Sequence, residues 1–146
     1  MAETKADHIL KFDDLVADHD IGYIEFEDKR YHYANVRRWS AFERKRLDWL
    51  WSQVSGFMNS EDEPTPEAGE RADNALRECV RMVLPTLPEK VFEEAPGEAL
   101  SDVMLDFFVR RARAVRATAE AMTRSLITSA LSQRSKRSTA GTRKAG

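Results

Sequence analysis

The sequence predicts an α+β fold that is predominantly α-helical: a small N-terminal β-hairpin packed on a helical bundle, then a long C-terminal helix and a disordered basic tail. Three observations lead there. One stretch alone, "GYIEFEDKRYHYAN" (22–35), alternates apolar and polar residues at the period of two that a strand requires. Four later stretches carry apolar residues at the three-to-four spacing of helices. The last 37 residues change composition abruptly. A chain of 146 residues fits one domain, placed at 1–131 with a polar linker near 59–70, and 132–146 reads as the tail.

The first twenty residues hold one short amphipathic candidate, "HILKFDDLVADHD", in which Ile9, Phe12 and Val16 fall at helical spacing and Leu15 widens the stripe. It is too short and too acidic to stand alone, so it must dock on something or fray. In the hairpin, a turn at Asp28-Lys29 would set Phe26 opposite Tyr31 and Ile24 opposite Tyr33. Glu27 would then face Arg30, and Glu25 would face His32. A lone hairpin is marginal in water, so the aromatic face should lie on a helix. Ser40 with Glu43 reads as a capping box opening a helix over "AFERKRLDWLWSQVSGFM". Its second half is apolar around most of the circumference.

Residues 59–70, "NSEDEPTPEAGE", hold two prolines and five carboxylates and read as a polar excursion. Ala72, Ala75, Leu76, Cys79, Val80, Val83 and Leu84 then form one helical stripe, stopped by Pro85. Pro88 reads as the first-turn proline of a short helix, "PEKVFEEA". The long helix begins near 98 and runs to about 131, with the stripe Leu100, Met104, Phe107, Phe108, Val115, Met122 and Leu126 and Ala119 at its edge. "SQRSKRSTAGTRKAG" has no apolar residue larger than alanine and reads as disordered.

Residues 1–109 carry 13 Lys and Arg against 24 Asp and Glu, whereas 110–146 carry 10 against 1. The chain is therefore an acidic body with a basic arm, although its net charge is only −2. So small a net charge argues against a simple polyanion binder. The single cysteine, Cys79, cannot close an internal disulfide and sits on an apolar stripe as a small hydrophobe. No apolar run approaches the roughly 20 residues that cross a bilayer, and "MAETKADHILKFDDL" lacks the basic and apolar regions of a signal peptide. Asp14, Asp18 and His19 could be imagined around a metal, but an acidic helix face explains them better. His32 fits as a cross-strand partner. No nucleophile elbow, phosphate-cradling glycine loop or zinc spacing occurs, so no catalytic residue, cofactor site or metal site is expected.

What remains is a binding surface. Trp49 and Trp51 point about 160° apart on one helix, so one core face cannot take both. Arg110, Arg113, Arg116 and Arg124 scatter opposite Phe108, Val115 and Met122 and are not interleaved with aromatics as a single-strand binder would have them. Arg111 falls inside the apolar stripe: if buried it should have an acidic partner, and if exposed it marks a partner's seat. Trp49, Trp51, Phe107, Phe108 and Arg111 are the candidate partner-binding residues, with core as the alternative for the aromatics.

Three stretches, "IGYIEFEDKRYHYANV", "SAFERKRLDWL" and "ALRECVRMVLPTLPEKVFEEAPGEALSDVMLDFF", resemble in their order the tail assembly chaperones of long-tailed (siphophage-type) bacteriophages. They lie within residues 20–108, about three fifths of the chain. Where that family usually has a glycine in the hairpin turn, Asp28-Lys29 stands. The resemblance implies a non-enzymatic protein that binds the tape measure protein and helps recruit tail tube subunits. It also implies residence in the host cytoplasm, absence from the mature virion, and no contact with membrane. Self-association stays open. The alternatives are a nucleic-acid-binding or regulatory module using the basic C-terminal arm, which the charge balance disfavours, and a structural head–tail connector.

Overall fold

A computed structural model describes residues 20–145, with side chains described through Ser135. The amphipathic candidate at 8–19, and with it His8, Asp14, Asp18 and His19, lies outside the described residues. The protein is mostly helical, with one two-stranded antiparallel hairpin and a long C-terminal helix, as the sequence predicts. It divides into two units, 18–112 and a second that holds 113–146.

In the first unit, β1 (Tyr23–Phe26) pairs with β2 (Lys29–His32). The register differs from the expected one: Ile24 faces Tyr31, Glu25 faces Arg30 and Phe26 faces Lys29, so the turn is Glu27-Asp28 and not Asp28-Lys29. Both turn residues have positive φ, 48° and 62°, the conformation a two-residue primed turn demands and which matches the twist of the strands. The shift is by two residues, so every side chain keeps its face. Ile24, Phe26 and Tyr31 still lie on the core. What changes is the polar side. Arg30 pairs with Glu25 at 3.5 Å and lies over the Tyr23 ring. His32 takes Asp20 at 3.1 Å rather than Glu25, and Glu27 reaches Lys90 at 3.1 Å rather than Arg30. The backbone N–H bond of Gly22 and the His32 contact together hold the Asp20 carboxyl below its usual range.

A single 3₁₀ turn, Val36–Arg38, leads to α1 (Ala41–Asn59). The capping box forms: the Glu43 amide donates to Ser40 Oγ at 3.1 Å, and the Ser40 amide donates back to Glu43 Oε1 at 3.4 Å. α1 buries Leu47, Leu50 and Val54 against α2 (Pro66–Val83). The polar excursion is shorter than 59–70. Thr65 caps the helix through the Ala68 amide and Pro66 occupies its first turn, so Pro66 to Glu70, five of the residues read as linker, are helical instead, and Asn59 closes α1. α2 presents Ala72, Ala75, Leu76, Cys79, Val80 and Val83 as predicted. The hairpin is sewn to its end by the Ala34 amide, which donates to the Val83 carbonyl at 2.8 Å.

Pro88 is the N-cap of α3 (Glu89–Glu94), one position before the place expected. α4 runs from Gly97 to Ala145. Its helical backbone continues past 131 into the basic tail, where no proline interrupts the segment. The core gathers Tyr33, Val36, the buried faces of α1 and α2, Leu84, Leu87, Val91, Phe92, Leu100, Met104 and Phe107. α4 therefore contributes core residues over its first three turns.

Candidate partner-binding surface

Within the first unit the five candidate residues separate into three environments. Phe107 has no exposed surface and packs on Tyr33, ring centroids 5.6 Å apart. It belongs to the core, which corrects its place among the contact residues. The cause is the helical period: Leu100, Met104 and Phe107 share one face, and Phe108 lies 100° round from it.

Trp51 and Phe108 are brought together. Their rings meet at 5.2 Å and 58°, an edge-tilted contact favoured by the ring quadrupoles. Both are half-buried, so each offers one side to the core and the other outward. Leu105 and Val109, which sequence reading did not single out, flank Phe108 on the same helix with 54% and 49% of their surface exposed. The i, i+4 spacing of 105 and 109 is the signal that could have found them. Trp49 lies on another face of α1, 57% exposed, in line with the exposed Phe42 seven residues earlier. Of the two tryptophans, then, Trp51 joins the core's margin and Trp49 does not.

Arg111 is half-buried, and among the described residues no acidic group pairs with it. The arginine with a built environment is its neighbour. Arg110 Nε donates to Asp106 Oδ2 at 2.8 Å, and Arg110 Nη1 donates to the Ile21 carbonyl at 3.2 Å. The same Asp106 oxygen accepts the Tyr33 hydroxyl at 2.7 Å. Burial, and after it the Asp106 carboxylate, pushes the Tyr33 phenol well above its ordinary range. This three-residue knot ties the hairpin to α4 and fixes the rotation of the helix, and so the direction of Phe108. Sequence reading missed it because Arg110 was assigned to the solvated side, although Asp106 and Arg110 have the i, i+4 spacing of an ion pair.

Cys79 is fully buried, and burial, with Glu78 adding to it, pushes its thiol up to about 12. A thiol so protonated is no nucleophile at neutral pH. Among the described residues no group of three His, Cys, Asp or Glu side chains is placed to hold a metal. None of their helices is long and apolar enough to cross a membrane. What the arrangement offers is apolar contact: a strip of Leu105, Phe108 and Val109 edged by Trp51, with the Arg111 guanidinium one turn on. Comparison with known proteins finds no matching family model, no matching curated protein and no matching solved structure.

Proposed function

We propose that this protein is a tail assembly chaperone that holds an apolar helical segment of a tape measure protein and helps recruit tail tube subunits, without catalysis. The observation that carries the reading is the strip of Leu105, Phe108 and Val109 beside Trp51, on a helix whose adjoining face is core. An amphipathic helix recognises such a strip by burying its own apolar face on it. The sequential likeness of 20–108 to that family supports the same reading, and so does the half-buried Arg111, available to an acidic group on the partner.

The test is co-expression with the tape measure product of the same phage. The wild-type chain should raise the soluble fraction of that product. Leu105→Asp/Val109→Asp, which alters exposed positions alone, should abolish the gain while the chaperone itself stays folded. An unchanged gain, or none with the wild type, would sink the proposal. Salt-sensitive DNA binding that vanishes on deleting 132–146 would favour the nucleic-acid reading in its place.

A further inference from the structure

Gly56 stands inside α1 for no reason found in its surroundings. A glycine within a helix gives up stability that alanine would keep, yet a Cβ built at Gly56 would meet nothing within 4 Å among the described residues. Seven residues before it is Trp49, 57% exposed, and seven before that is Phe42, 72% exposed. At about 100° per residue the three lie within about 40° of one line along α1. That line reads large, large, absent. We infer that it is the contact of a two-fold dimer, in which a second copy of the chain lays its α1 antiparallel over the first, centred on Trp49.

Three observations favour a second copy over other occupants. The first is shape. Phe42 and Gly56 are equally far from Trp49, about 10 Å at 1.5 Å per residue. A two-fold axis through Trp49 therefore sets Phe42 of each copy over Gly56 of the other, and the bare backbone receives a ring that is otherwise left in water. The two Trp49 rings meet at the axis, where they can stack offset. The second is charge. Residues 37–46 hold five cations against one carboxylate, whereas 59–70, at the far end of α1, hold five carboxylates and no cation. Reversing one copy on the other brings each basic start toward an acidic end and opposes the two helix dipoles. A polyanion would be drawn to the first run and repelled by the second. The third is the flank of the contact. In this register Lys45 of one copy faces Gln53 of the other, and Arg46 faces Ser52, so no like charges oppose each other; all four residues are exposed.

Such a contact is isologous and closes at two copies. It leaves the strip of Leu105, Phe108 and Val109 open in both, because Trp51 lies about 160° round α1 from Trp49. Dimerisation stands or falls apart from the chaperone reading, since no tail protein enters its test.

The test is sedimentation equilibrium of the full chain over a roughly hundredfold range of concentration, wide because a contact of one helix face is small. Wild type should pass from monomer to dimer. Phe42→Ala and Gly56→Phe should each weaken the dimer by about tenfold or more. Gly56→Phe should do so without lowering the thermal midpoint of the dilute monomer, where the new side chain has open space. Phe42→Ala/Gly56→Phe, which exchanges ring and gap across the axis, should recover most of the loss, as a damaged fold could not. A monomer at every concentration, association that neither substitution changes, or a double variant no better than the single ones would each overturn the dimer. So would salt-sensitive binding of a single-stranded oligonucleotide that Phe42→Ala abolishes, which would give the face to a polyanion.

Discussion

Replacing Asp106 by alanine should destabilise the protein more than replacing either residue that bonds to it. A single carboxylate oxygen accepts both the Tyr33 hydroxyl at 2.7 Å and Arg110 Nε at 2.8 Å. Tyr33 is only 6% exposed, so without the carboxylate its hydroxyl keeps just the Val103 carbonyl, a poor acceptor at 3.4 Å. A charge-assisted bond of this kind is worth about 1.5 kcal/mol. The Arg110 pair is more open, with side chains 38% and 41% exposed, and adds roughly 0.5 kcal/mol after solvent screening. Asp106→Ala should therefore cost about 2 kcal/mol, and Tyr33→Phe or Arg110→Ala about 1 kcal/mol or less. Urea unfolding followed by tryptophan fluorescence measures these differences. At about 3 °C per kcal/mol the Asp106→Ala midpoint should fall by roughly 6 °C. The Tyr33→Phe/Asp106→Ala double variant should cost less than its two parts together, by about 1 kcal/mol. Strict additivity, or an Arg110→Ala variant less stable than Asp106→Ala, would refute the view that the carboxylate is the hub.

Three further outcomes are expected. Phe107→Ala should cost about 3–5 kcal/mol as a cavity in the core, while Trp49→Ala should stay within about 0.5 kcal/mol; similar losses in urea titrations would erase the distinction between core and surface aromatics. Glu27→Asn/Asp28→Gly should raise stability by about 1 kcal/mol, because both turn residues have positive φ and neither is the residue that conformation favours, and thermal unfolding should show the gain despite loss of the exposed Glu27–Lys90 pair. Stability should fall as the solution becomes alkaline. Cys79 and Tyr33 hold their protons more tightly when folded than their ordinary values of 9.0 and 10.0, so their contribution is whole below those values and lost as pH rises through the folded ones. Denaturation profiles across about pH 8 to 11 should flatten in Tyr33→Phe/Cys79→Ala relative to wild type, and parallel profiles would contradict the assignment.

The helices and their buried faces were legible because each rests on local repetition. The stripe from Ala72 to Val83 and the Ser40–Glu43 box need only the sequence within a few turns. The turn was not legible. Glu27-Asp28 and Asp28-Lys29 both lack glycine, and the choice between them is made by distant partners: Lys90 for Glu27, Asp20 for His32, and the Gly22 carbonyl for the Tyr33 amide. The surface was half legible. That Trp49 and Trp51 must part follows from helix geometry, but which one meets Phe108 depends on how α4 is turned, and that is decided by Tyr33, Asp106 and Arg110 together.

Gly22 has a consequence for how this chain can vary. Its φ is +124°, and a Cβ placed there would run into the Arg110 guanidinium. Two separate restrictions thus meet at one position, and they are lifted by different events. A lineage that shortens Arg110 frees the space beside residue 22 yet leaves its backbone where L side chains rarely go. Drift should therefore be one-sided: substitutions at 110 can arise in the presence of Gly22, whereas a side chain at 22 has to wait both for a smaller residue at 110 and for a rebuilt path into the hairpin.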